Sequence, residues 1–197
     1  MLLFLMACTP TCEDGQVNDP ITGDCVNTWS DPTTPEEALA ALPDCEYATP
    51  SSGLDLVAGC VEDACVGMTL GEIEAELGTA DECDGNLFED DLIGCEWDNG
   101  NIYASFHGDN GTLPEDGEAT TVAARNGYSG SDPDGLALNI SLNCYLDVLG
   151  EPDDIDYTET DAGVSPWHTQ WDGVGAFTDF FGDNYGEVTS LFLHGVD

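Results

Sequence analysis

The side chains able to do chemistry in this chain are overwhelmingly carboxylates: 41 Asp and Glu stand against one basic residue, Arg125, and three histidines, His107, His168 and His194. Two carboxylates hydrolyse a glycosidic bond when they face each other across a cleft at a set separation. In 197 residues with a formal net charge of −40, acidic pairs arise everywhere and mark no particular site. Apart from Arg125 there is no cationic clamp for the negative charge that develops in most hydrolytic transition states. GYSGS at 127–131 departs from the GxSxG nucleophile elbow, because its second glycine comes one residue early. HExxH, P-loop and GxGxxG motifs do not occur. The histidines fall in or beside strand-like text next to aromatics, the setting of a structural histidine on a sheet. The expectation is no catalytic residue and no cofactor, with a carboxylate-dependent secreted hydrolase as the alternative.

Calcium is the cation that clustered carboxylates invite. The runs Glu89, Asp90, Asp91 and Asp153, Asp154, Asp156, and the pair Asp132 and Asp134 before Gly135, all lack the EF-hand ligand spacing. They predict weak, non-specific divalent binding rather than a dedicated metal cage, so an acidic cation-binding surface protein is a further alternative. CVEDAC at 60–65 has the look of half a zinc site, but no matching cysteine or histidine pair follows at finger-like spacing. The charge also repels phosphate backbones, which excludes nucleic-acid binding by attraction. Self-repulsion weighs most on the folded chain at low salt, where the Debye length reaches ~30 Å at 0.01 M.

The nine cysteines divide into one and eight. Residues 1–8, MLLFLMAC, end in Leu5-Met6-Ala7-Cys8, which resembles the lipobox of bacterial lipoproteins and makes Cys8 the expected site of lipid attachment. No lysine or arginine precedes the apolar run, which reads as a truncated lipoprotein signal whose start codon has been placed too late. Residues 9–33 read as a polar, cysteine-containing tether. Of the other cysteines, Cys12 with Cys25 and Cys83 with Cys95 are natural local disulfide pairs; Cys45, Cys60, Cys65 and Cys144 permit three connectivities. No stretch approaches the ~20 apolar residues of a membrane span, so the expected location is extracytoplasmic, held to a membrane by a lipid anchor, in the periplasm or on the cell surface.

The elements that position these groups come from a repeat. WDNGNIYASFHGDN at 97–110 and WDGVGAFTDFFGDN at 171–184 keep Trp, Asp, Phe and GDN in register 74 residues apart, and MTLGEIEAELG at 68–78 aligns with ISLNCYLDVLG at 140–150 at an offset of 72. In each upstream segment Thr69 or Ser141 is an N-cap type and Glu72 is a capping-box partner. Leu70, Ile73 and Leu77, like Leu142, Tyr145 and Leu149, form one apolar stripe, and Gly78 or Gly150 ends the helix. Downstream, Ile102, Ala104 and Phe106 alternate with Tyr103, Ser105 and His107, and Ala176, Thr178 and Phe180 with Phe177, Asp179 and Phe181. GDN supplies a turn, and a further strand is expected at about 119–125 and 187–194. The predicted fold class is α+β: two tandem helix–loop–antiparallel-meander repeats of three or so strands, at 66–130 and 131–197, with helices on one sheet face and disulfide staples. Residues 34–65 form a short helix from Thr34 to about Leu42, a possible strand at 54–58 and a cysteine-linked connection.

The order GMTL…LG, a loop, then Trp and an alternating strand ending in Phe, given twice across roughly residues 66–197, resembles the β-lactamase-inhibitor-protein-like domain and the related SmpA/OmlA-type small outer-membrane assembly lipoproteins. That resemblance implies a helix-plus-sheet unit in the envelope that binds protein without chemistry. Alternation puts Tyr103, Phe177 and Phe181 on the sheet face away from the helices, which makes them the candidate binding face for an unidentified protein partner. Trp97 and Trp171 are expected as core pegs.

Overall fold

The computed structural model describes residues 32–85, 92–108, 112–113, 116–125, 127–160, 163–179 and 185–195, together with the backbone of 16–18 and 25–27. Cys8, Cys12, the Cys25 side chain, Trp29, Phe180, Phe181, the run 89–91, and the Asp and Asn of both GDN turns lie outside the described residues.

The chain begins with a two-stranded antiparallel ladder, β1 (Gln16–Asn18) with β2 (Cys25–Asn27), inside the segment that composition reads as a tether. Thr34 then accepts the N–H of Glu37 at 3.2 Å and starts α1 (Pro35–Ala40), whose proline sits in the first turn, where no N–H is required. Three short strands follow, β3 (Leu54–Asp55), β4 (Cys60–Val61) and β5 (Ala64–Cys65), paired in that order. Helix α2 (Leu70–Leu77) opens on a reciprocal capping box: Thr69 Oγ1 accepts from the Glu72 N–H at 3.3 Å, and Glu72 Oε2 accepts from the Thr69 N–H at 2.8 Å. The third helix, α3 (Leu142–Leu149), starts at Ser141, whose hydroxyl accepts from the Asn143 N–H at 3.1 Å. Gly78 (φ +89°) and Gly150 (φ +81°) end these two helices with extended ψ, a combination open essentially to glycine alone.

The remaining strands make one antiparallel sheet. They are β6 (Glu82–Gly85), β7 (Leu92–Trp97), β8 (Ile102–His107) and β9 (Ala119–Arg125), then β10 (Asp154–Thr160), β11 (Gly163–Trp171), β12 (Val174–Thr178) and β13 (Val188–His194). Their spatial order is β10-β11-β12-β13-β9-β8-β7-β6. Each group of four is a meander, and the groups meet through their last strands, with Leu191 opposite Ala124 and Leu193 opposite Val122. Helices α2 and α3 thus each precede four strands, not three. Cys83 and Cys95 face each other directly across β6 and β7. Residues 154–160 and 163–170, read as loop in the sequence, are β10 and all of β11 but its last residue. Two of the missed strands, β6 and β10, are the sheet edges, and both are rich in Asp and Glu, which strands generally disfavour and which edges employ to discourage further pairing.

Helix-facing positions of the strands, among them Ile93, Ile102, Phe106 and Leu191, join Ile73 of α2 and Leu142 and Tyr145 of α3 in one apolar core. Several contacts recur in both halves. The indole N–H of Trp97 donates to Gly78 O at 2.9 Å, and that of Trp171 to Gly150 O at 3.0 Å, so each tryptophan satisfies the end of the preceding helix. The Ala119 N–H donates to Met68 O at 2.8 Å and the Val188 N–H to Ile140 O at 2.9 Å, tying the start of each helix to the last strand of its own half.

Among the described residues three disulfides staple the structure: Cys45–Cys144, Cys60–Cys65 and Cys83–Cys95. Cys60 and Cys65 sit opposite each other across β4 and β5, which disposes of the zinc half-site. Such bonds fit an oxidising compartment outside the cytoplasm. Among the described residues no helix is long and apolar enough to cross a membrane.

Candidate binding face of the sheet

Because the helices cover one side of the sheet, alternation sends every second strand residue to the other. Tyr103 and Phe177 are both there, half-buried, on β8 and β12. The register brings them company that the sequence pattern did not reveal. All three histidines lie on this face, His107 on β8, His168 on β11 and His194 on β13, as does Arg125 on β9. The side chains that carry or can acquire positive charge are therefore gathered on one side of an otherwise acidic molecule.

Two clusters stand out. In the first, the Tyr103 ring lies directly over Gly94 of β7, where any Cβ would collide with it at 2.5 Å. The Arg125 guanidinium sits 4.4 Å from the ring centroid and forms an ion pair with Glu96. Burial raises the Tyr103 pKa, Arg125 opposes the rise, and Glu96 adds to it. In the second, a bulge between Asp156 and Tyr157 leaves Trp167 without a cross-strand partner and turns it outward, 38% exposed. Its ring lies 5.4 Å from Phe177, which stacks 4.6 Å from His168 and meets Phe192 edge-on at 5.1 Å. The result is a partly exposed aromatic band across β11, β12 and β13. Knowledge of the β11 register would have placed His168 and Phe192 beside Phe177; without it, alternation in separate segments left them unconnected.

The Nδ1 atoms of two histidines are held by neighbours: His168 at 3.2 Å from Asp156 Oδ2, and His194 at 3.0 Å from Thr121 Oγ1. Burial, and after it the proximity of His168, lowers the His194 pKa below its ordinary value. The unfolded chain therefore takes up a proton at this residue first as pH falls. Stability linked to His194 is present above about pH 6.5 and declines on acidification, until the native residue protonates too. Urea unfolding across this range should show the wild type losing stability relative to His194→Gln. A difference that stays flat with pH would contradict the burial argument. The comparison with the variant removes the contribution of the carboxylates common to both chains.

Elsewhere, a cavity of about 360 Å³ is bordered by Glu62, Asp81 and Asp98 together with Leu77, Trp97 and Tyr128. Each of these carboxylates already serves a local donor: Glu62 accepts from the Tyr128 hydroxyl at 2.8 Å, Asp81 from the Asn99 N–H at 3.0 Å, and Asp98 from Asn101 Nδ2 at 3.0 Å. Burial, followed by Glu62, raises the Tyr128 pKa, so this phenol stays protonated as a donor. The acids here tie together the segments around the cavity. Asp132, one of the calcium candidates, is 5% exposed and accepts the N–H groups of Asp134 at 3.0 Å and Leu136 at 2.7 Å, an internal turn rather than an open ligand set. Asp153 precedes β10, while Asp154 and Asp156 project from it. Among the described residues no group of three or more His, Cys, Asp or Glu side chains is placed to enclose a metal ion.

No protein-family model matches the chain, and no curated protein sequence matches it. Among solved structures, the fold is similar to the crystal structure of a cysteine-rich secretory protein from Staphylococcus aureus subsp. aureus Mu50, with 14% identity and a TM-score of 0.41. The match covers 76% of this chain and 46% of the staphylococcal one, so the chain spans less than half the length of that protein.

Proposed function

We propose that the chain is a non-catalytic protein-binding module of the cell envelope, held to a membrane through an acylated Cys8, and that its open sheet face is where the partner docks. The observation that carries this reading is the band of Trp167, His168, Phe177 and Phe192 beside the Tyr103–Arg125 cluster, on the side the helices leave uncovered. Aromatic and arginine side chains are the commonest anchors of protein interfaces, because they offer large contact area at low entropic cost. Carboxylates on the sheet edges, Glu82 and Asp84 on one side and Asp154 and Asp156 on the other, fit a partner that presents an apolar projection ringed by lysine and arginine. The two halves are read as copies of one helix-plus-meander unit; the paired tryptophan-to-glycine hydrogen bonds support this. Anchoring rests on the Leu5–Cys8 motif and the polar segment after it.

The test compares the full chain with two variants in envelope fractions. Tyr103→Ser combined with Phe177→Ser should abolish retention of proteins that the wild type holds, and Cys8→Ser should move the protein from the membrane to the soluble fraction. Retention of the same proteins by the double variant rejects the face, and a membrane-bound Cys8→Ser protein rejects the anchor.

A further inference from the structure

Strands β11 and β13 flank β12, whose second residue, Gly175, stands level with Gln170 on one side and Phe192 on the other. His168 and His194 lie diagonally across this position, one toward each end of β12, and both rings lean inward over the space that a side chain at 175 would fill. A Cβ built there would lie 3.3 Å from His168 Nε2, 3.6 Å from His194 Nε2 and 3.1 Å from Gln170 Oε1. Three neutral donor atoms therefore converge on one point above the sheet.

Their orientation is held from behind. The Asp156 carboxylate accepts from Nδ1 of His168, which sets the tautomer that leaves a lone pair on Nε2. Thr121 Oγ1, 3.0 Å from Nδ1 of His194, anchors the second ring; with Nδ1 as the donor, Nε2 of His194 also carries the lone pair. The Gln170 Nε2 donates to Trp171 O at 2.8 Å, which turns the amide oxygen rather than the nitrogen toward the gap. Phe177 packs against His168, so the site is edged by apolar rings rather than by bulk water.

We propose that His168 Nε2, His194 Nε2 and Gln170 Oε1 bind a borderline divalent transition metal, Zn²⁺ being the test case, in the gap above Gly175, with water completing the coordination. Zinc–nitrogen bonds are about 2.0–2.1 Å, so from 3.3 and 3.6 Å the two rings have to close by roughly 1.2–1.5 Å on binding. Imidazole donors favour zinc, copper and nickel over calcium and magnesium, which prefer all-oxygen sets. This selectivity separates the site from the 41 carboxylates, whose oxygens suit magnesium and calcium. A carboxylate hydrogen-bonded to the far nitrogen of a ligating histidine, the position Asp156 occupies, is the usual companion of such a ligand. The inference does not depend on the partner reading, since its test involves no protein partner.

Calorimetric titration of the full chain with Zn²⁺ near neutral pH, in high salt and excess Mg²⁺ to saturate the carboxylates, should reveal one tight equivalent. His168→Gln or His194→Gln should each weaken it by roughly 100-fold, and Asp156→Asn by about 10-fold. His107→Gln removes the one histidine of the same face that is remote from Gly175, and should leave the titration unchanged. Histidine ring NMR of the wild type should show Nε2, not Nδ1, perturbed at two of the three histidines. The proposal is overturned if magnesium competes away all zinc, or if the tight equivalent survives loss of both His168 and His194 in variants whose unfolding midpoints without zinc stay close to wild type.

Discussion

Replacing Cys45 and Cys144 together with alanine should destabilise the protein by about 4–5 kcal/mol, more than removal of either other disulfide. The two residues are 99 apart in sequence, against 12 for Cys83–Cys95 and 5 for Cys60–Cys65. A cross-link stabilises chiefly by restricting the unfolded chain, and the restriction grows with the loop it closes; on that account a loop of ~15 residues yields about 3 kcal/mol. Here the unfolded state is also swollen by its own charge, which the long link opposes. Alanine suits the test because Cys144 is fully buried, so a serine hydroxyl would add a desolvation penalty of its own. Urea midpoints for the three double-alanine variants, measured at fixed ionic strength, should rank in order of loop length. A Cys60/Cys65 variant at least as unstable as the Cys45/Cys144 variant would show that local strain governs instead.

Alanine at either matched tryptophan should cost about 3–5 kcal/mol, and to a similar degree at both. Trp97 is 3% exposed and Trp171 5%, so each substitution opens a cavity in the core. It also strands a glycine carbonyl at a helix end, the group its indole N–H satisfies. The two losses can be separated. Trp→Phe keeps most of the ring but removes the donor, and should cost about 1–3 kcal/mol for the orphaned carbonyl. Trp171 has an additional neighbour in Tyr145, 6.3 Å between ring centroids, whose hydroxyl donates to Ala137 O at 2.6 Å. A markedly smaller effect at one tryptophan than at the other would weaken the view that the halves are copies of one unit. Thermal unfolding followed by near-ultraviolet circular dichroism reads both substitutions directly.

The features legible in the sequence were those determined within a few residues. N-caps act on N–H groups two or three positions away, so Thr34, Thr69 and Ser141 located all three helices, and Gly78 and Gly150 located two of their ends. Alternation located β8, β12 and the closing strands β9 and β13, and assigned Tyr103 and Phe177 to the uncovered face. The edge strands escaped because an edge needs neither apolar alternation nor high strand propensity; Glu82, Asp84, Asp154 and Asp156 made their text resemble loop. The Cys45–Cys144 bond escaped for a different reason, since only tertiary packing of the early connection on α3 brings those residues together. The His168–Gly175–His194 arrangement lay deepest: it depends on the register of three strands and on a bulge that changes the phase of β11.

The way the meanders join has a consequence for how the protein is made. Among the described residues, strand β9 finds its outer neighbour in β13, the last described strand. A polypeptide emerging from its N-terminus must therefore hold a nearly complete first half with one row of backbone donors and acceptors bare until Val188–His194 arrives. Such an intermediate is sticky by geometry. The same dense negative charge that strains the finished fold makes these half-built molecules repel one another.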